Sequence, residues 1–159
     1  MYYKKWMIFA VILSLVMLNF VACGSSSKLS KVEKWVNKYI DTISDKVYDQ
    51  AAHGGVNLFG IGEIVDKVSK NSDLVNEKYP YDENKTYKDV MEMDSNMTNS
   101  GIEFVVKVPV GDEDKELAKK EAGKEGKKYY VVGKFIVNID LQSMRLSVDK
   151  EKAKVVAEK

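Results

Sequence analysis

His53 is the only histidine in the sequence, and therefore the only side chain whose ordinary pKa lies near neutrality. Paired with a carboxylate it would be a general base, and Asp49 lies four residues before it, one helical turn away. As a metal ligand it would need further His or Cys donors for a conventional zinc site, and Cys23 is the only cysteine. No nucleophile-elbow pattern surrounds any serine. The residues around His53 read as the end of a helix, where an imidazole interacts with the last carbonyls. The stretch Gly54-Gly-Val-Asn-Leu-Phe-Gly-Ile-Gly62 is glycine-rich in the manner of a phosphate loop. It lacks the following Lys-Ser/Thr and the third glycine of a dinucleotide fingerprint, and it follows a helix where both motifs follow a strand. Asp112-Glu-Asp114 offers carboxylates to a cation but misses the calcium-loop spacing, so it reads as a solvated turn. Tyr79, Tyr81 and Tyr87 are different: aromatic residues with polar tips on a loop around Pro80 are a candidate binding surface. No catalytic residue, metal site or cofactor is assigned from these patterns.

The bulk numbers narrow the class. The 159 residues suffice for one domain, and two would each have too little core. With 25 Lys plus Arg against 24 Asp plus Glu, the formal charge is +1, and Arg145 is the only arginine. A near-neutral chain with one guanidinium has little means of neutralising phosphates or reading base edges, so no nucleic-acid partner is expected. A single cysteine excludes an internal disulfide framework.

That cysteine sits at the end of an apolar N-terminus. Met1-Tyr-Tyr-Lys-Lys5 is a short positive start, and residues 6–22 are apolar apart from Ser14 and Asn19. Seventeen such residues would span only about 26 Å as a helix, short of a hydrocarbon core of about 30 Å. The parts are those of an export signal. The stretch Phe20-Val-Ala22-Cys23-Gly-Ser-Ser-Ser27 resembles the lipobox of bacterial lipoproteins, with Phe20 in place of the usual leucine. The resemblance implies cleavage between Ala22 and Cys23 and a lipidated Cys23. It places residues 1–22 as signal peptide, 23–29 as lipidated cysteine and flexible linker, and 30–159 as one domain. Acyl chains then hold that domain at a cell membrane or outer membrane on the extracytoplasmic side. Losing Lys4 and Lys5 but no acid takes the formal charge from +1 to −1.

In the domain, Ser30-Lys-Val-Glu33 has the spacing of a capping box. Val32, Trp35, Val36, Tyr39, Ile40, Ile43 and Val47 follow at helical spacing on one face. Gly54 and Gly55 close that helix. Gly60 and Gly62 weaken residues 56–69, which read as a loop leading into a short helix near Glu63. Residues 87–93 fit a strand or a helical turn equally. Alternation over residues 102–110 predicts a half-buried strand. Residues 112–128 read as a solvated connection with a helical turn at 116–121. Residues 129–139 are apolar on both alternations, as in a strand covered on both faces. Asp140-Leu-Gln-Ser143 turns the chain into a return strand at 144–149, with a further short strand at 153–157.

The sum is an α+β fold, a long N-terminal amphipathic helix packed on an antiparallel β-meander. It looks broadly like cystatin-like or nuclear-transport-factor-like domains, an analogy that carries no function. The expected role is a non-catalytic, lipid-anchored binding module with an envelope protein as partner. The alternatives are an assembly subunit of an envelope complex and a small hydrolase using His53.

Overall fold

A computed structural model describes residues 27–54 and 58–159. The expected export signal, the expected cleavage point at Ala22 and Cys23, and most of the expected linker lie outside the described residues. The chain from Ser27 onward builds one hydrophobic core from a helical layer and a four-stranded antiparallel sheet, the layout expected.

The long helix α1 spans Lys28–Gly54. Its apolar stripe, from Val32 through Tyr39 and Ile43 to Val47 and Ala51, is buried throughout. The start differs from the capping-box expectation. Ser27 caps the helix, its Oγ accepting from the Ser30 amide at 3.1 Å. The Leu29 amide donates at 2.9 Å to Asp114, a carboxylate from 85 residues away. With those free amides served, Ser30 lies inside the first turn and Glu33 turns instead toward Glu121.

Helix α2, Leu58–Lys70, is longer than the short helix near Glu63 that its glycines suggest. Ile61, Val65 and Val68 are buried, and α2 packs against α1. Burial of that stripe outweighs a propensity cost of about 1 kcal/mol per glycine. A 3₁₀ turn at Asp73–Asn76 follows, and Trp35 donates its indole N–H to the Leu74 carbonyl at 3.0 Å. Residues 87–93 turn out to hold both alternatives in succession. Tyr87–Val90 forms a single helical turn, α3, and Glu92–Met97 is strand β1.

Strand β2, Gly101–Pro109, follows a three-residue hairpin loop. The connection after it holds a full helix, α4, at Lys115–Ala122, closed by Gly123 in the left-handed conformation at φ 67°. Ala118 fastens α4 by complete burial against the sheet. Strands β3, Lys128–Asp140, and β4, Arg145–Glu158, complete the order β1-β2-β3-β4. The return strand and the further short strand of the sequence reading are one continuous β4, irregular only between Val132 and Lys134 in its pairing with β3. Opposite that irregularity α1 crosses the sheet at Gly133. A Cβ there would stand 2.7 Å from Val36 and 3.1 Å from Ile40.

One expectation about β3 is corrected. Its residues alternate between buried Tyr129, Val131, Phe135 and Val137 on the helical side and half-buried Tyr130, Val132, Lys134 and Ile136 on the other. Among the described residues no helix covers that second face. Half-buried lysines stand on it instead: Lys134, 3.7 Å from Glu103 and 3.8 Å from Glu151, and Lys107, 4.6 Å above the Tyr130 ring. An antiparallel sheet with one wet face is thereby stable despite its apolar content.

Candidate functional site

His53 is exposed near the end of α1, and its Nδ1 lies 2.7 Å from the Asp49 backbone carbonyl. That places it as a helix-end residue, engaged with its own backbone. Among the described residues no group of three His, Cys, Asp or Glu side chains converges on a common point. Asp112–Asp114 is a 3₁₀ turn whose last carboxylate braces α1. Asp114 also accepts the Tyr81 hydroxyl at 2.7 Å, and Lys28 meets Glu113 at 2.7 Å. Of the glycine-rich stretch, the described part belongs to α1 and α2.

The three tyrosines come together, but inward. Tyr79 and Tyr87 are buried and Tyr81 half-buried, so they do not form an exposed aromatic surface. Tyr87 stacks on Trp35 with ring centroids 3.8 Å apart, and Trp35 stacks in turn on Tyr39. Tyr79 meets both Tyr87 and Tyr81 edge-on and donates its hydroxyl to the Pro109 carbonyl at 2.6 Å. Burial, with the nearby Asp82 charge, pushes the Tyr79 hydroxyl up to about 12. Burial pushes Tyr81 up as well, and the charge of Asp114 adds to it. The reason is the turn at 78–86, closed by the Lys78–Thr86 bridge, which folds the loop back over α1. Tyrosines on a proline-containing loop look like contact residues; here they staple the loop to the core.

The site that the side-chain patterns miss is a cavity of about 320 Å3 between α2 and strand β1. Val65, Val75, Met91, Met93 and Phe104 give it an apolar floor. Asp66, Lys70, Lys88 and Asp94 stand around it. Lys70 is held by Asp66 at 2.7 Å, one turn earlier on α2, whereas Lys88 and Asp94 have no ion-pair partner within 4.0 Å among the described residues. The cavity exists because α2 packs on α1 and stands off from the edge of the sheet. Gly62 adds to the opening, since a Cβ there would meet nothing within 4 Å.

One polar point lies at the back. Ser69, almost fully buried, lines the cavity and donates its hydroxyl to the Val65 carbonyl. Beside it the Tyr39 hydroxyl is wholly buried without a hydrogen bond of good geometry, and burial raises its pKa. An unpaired buried hydroxyl costs about 1–3 kcal/mol, and the single hydroxyl proton of Ser69 is already given to Val65. An apolar floor with few convergent polar groups is the pattern of a recognition pocket. The sequence signal for it was faint: two methionines, Met91 and Met93, at the approach to a short edge strand.

No known protein family matches the sequence, and no curated protein or solved structure resembles it. The class is therefore the one its own architecture defines, an α+β domain of one long helix on an antiparallel meander, with a lateral cavity under the first strand. Among the described residues no helix is long and apolar enough to cross a membrane.

Proposed function

We propose that this chain is a lipid-anchored cell-envelope module that binds an apolar group of an envelope protein in the cavity between α2 and β1, without catalysing a reaction. The observation that carries it is the cavity itself, with its apolar floor and the unpaired Lys88 and Asp94. The lipobox-like stretch supports the anchor. Cys23 lies five residues before Lys28, a reach of at most about 18 Å, so the α1 start sits near the headgroups. From there α1, 27 residues long, extends about 40 Å along the body of the domain. The uncovered face of the sheet supports a second reading, an assembly subunit that buries Val105, Val132, Ile136 and Val156 permanently against a larger complex.

The test is photo-crosslinking in the producing cell with a benzophenone side chain at position 93, and at position 152 on the far strand as control. Expected is one adduct from position 93, lost when Gly62→Leu fills the cavity, and none from position 152. Equal adducts from both positions, or adducts indifferent to Gly62→Leu, would sink the cavity as the site. A co-purifying complex of fixed stoichiometry that survives Gly62→Leu would favour the assembly subunit. Mass spectrometry of the isolated protein checks the anchor: the N-terminus should be a lipidated Cys23, and a chain beginning at Met1 with a free thiol refutes it.

A further inference from the structure

The cavity opens beside a strand that is itself unfinished, and this extends the reading just given, on which it rests. Strand β1 pairs with β2 alone, and five of its six residues are exposed. Which backbone groups are free follows from the register. Met97 faces Ile102, so Thr98 faces Gly101, and the Thr98 amide donates to the Gly101 carbonyl at 2.9 Å. In an antiparallel ladder such bonded pairs alternate with unbonded ones. Asn96, Asp94 and Glu92 therefore point their N–H and C=O at β2, while Met93, Ser95 and Met97 point theirs outward from the sheet. The neighbouring pair agrees: Val110 donates to Tyr129 at 2.9 Å, which leaves residues 103, 105 and 107 of β2 for bonding to β1.

Side chains divide the same way. On the helical side β1 carries Met93, Ser95 and Met97, next to the cavity, and Met97 is 72% exposed. On the other side it carries Glu92, Asp94 and Asn96. Asp94 faces Val105, so no cation stands across from it. Glu92 faces Lys107, whose ammonium leans 4.6 Å above the Tyr130 ring and not onto the carboxylate. The opposite edge of the sheet is defended differently. Strand β4 presents Lys150, Lys152 and Lys154 along its length, and Asn37 accepts the Ala153 amide at 2.8 Å. Dense charge and a capped amide are how sheets blunt an edge. Strand β1 carries only its two carboxylates, and among the described residues no side chain caps its outward amides.

The geometry points to β1 as the receiving edge for an extended peptide segment of a partner protein, one that alternates basic and apolar residues. Its backbone completes the hydrogen bonds of Met93, Ser95 and Met97. Its basic residues fall on the side of Glu92 and Asp94, and one apolar residue enters the cavity over Met93 and Phe104. Backbone pairing gives affinity, and the cavity and the two carboxylates give specificity. A second copy of this chain is a poor occupant by pairing β1 with β1, because registers centred on Asp94 set like charges face to face.

The experiment uses the full chain in nanodiscs of zwitterionic lipid, so that basic probes do not bind the lipid itself. The probe is acetyl-Lys-Val-Lys-Leu-Lys-Val-amide, with the lysines changed to glutamates in the comparison peptide. Binding of the basic peptide should slow hydrogen exchange at the amides of Met93, Ser95 and Met97, and it should exceed binding of the acidic peptide about fivefold. Ser95→Pro removes an outward amide without touching the β2 ladder, so it should weaken binding about tenfold. Asp94→Lys leaves one carboxylate and one ammonium on that side, so it should abolish the preference between the two peptides, and it keeps the test open should the proline disturb the strand. Unchanged exchange at those three amides, or binding indifferent to Ser95→Pro and Asp94→Lys, overturns the inference. So does concentration-dependent self-association abolished by Ser95→Pro, which would make the occupant a second copy. The cavity reading fails separately, through Gly62→Leu leaving the position-93 adduct intact; an adduct lost with Gly62→Leu but kept with Ser95→Pro spares the cavity and removes the edge.

Discussion

Helices α1 and α4 meet through two carboxyl groups, and the stability of the domain should register it. Glu33 is half-buried and hydrogen-bonds to Glu121, one protonated carboxyl donating to the other. Burial first, then that hydrogen bond and the Glu121 charge, push Glu33 from an ordinary 4.5 up to about 7. In the unfolded chain Glu33 ionises near 4.5, whereas in the folded chain it holds its proton until about 7. Between those values the folded state binds more protons, so stability falls as pH rises through the window and is lowest above it. Taken whole, a shift of about 2.5 units would be worth about 3.4 kcal/mol. Much of the carboxyl remains in water, which screens the repulsion, so about 1 kcal/mol is the expected size. Glu33→Gln removes the ionisation and keeps a hydrogen-bonding amide facing Glu121. It should raise stability by about 1 kcal/mol near pH 8, about 3–5 °C in melting temperature for a domain of this size, and by almost nothing near pH 4. Urea unfolding of the wild type and the variant at both pH values reads the difference directly. A gain of equal size at both ends of the range would refute the account, since propensity or packing would then be the cause and not the proton.

Two further substitutions test the frame. Asp114→Ala takes the acceptor from the Leu29 amide and the Tyr81 hydroxyl at once, and should cost about 1–3 kcal/mol in urea unfolding, with exchange quickening first at the α1 start. An effect no larger than that of Asp112→Ala would mean the brace contributes nothing. Gly133→Ala drives a methyl into Val36 and Ile40 and should cost about 1–3 kcal/mol, as overpacking does; a neutral result would show that α1 rides further from the sheet than its placement here.

What was legible in the sequence was local and periodic. The stripe from Val32 to Val47 repeats over several turns, and no competing pattern exists, so α1 could be read without knowing its neighbours. The alternation from Ile102 to Val108 did the same for β2. Where two local signals conflicted, tertiary packing decided. Gly60 and Gly62 argued against a helix that Ile61, Val65 and Val68 nonetheless bury against α1. The capping box at Ser30 and Glu33 was displaced by a carboxylate no local window contains, Asp114. The tyrosine trio failed for a related reason: loop composition reports exposure only on average, and Trp35 supplied a ring for Tyr87 to stack on. The cavity was least legible of all. It is a gap between elements, set by how far α2 stands from β1, and no residue type announces a distance.

Anchor and groove make joint sense as geometry. On the proposed anchoring the tether enters at the α1 start, which is fixed to the rest of the molecule by Lys28 on Glu113 and Leu29 on Asp114. The hairpin loops at 98–100 and 141–144 lie together at the other end of the sheet, since Ile139 donates to the Ser100 carbonyl. Strand β1 and its cavity run along the side between those ends, with outward backbone groups on the flank and not at the tip. A partner strand added there lies alongside the body, and its length is limited by that of β1. Three residues with free outward groups give up to six backbone hydrogen bonds, each worth about 0.5–1.5 kcal/mol net. Ordering the incoming segment consumes much of that, which leaves the apolar residue in the cavity to decide whether the segment stays. On this geometry affinity should track the side chain over Met93 more steeply than the number of residues paired along the edge.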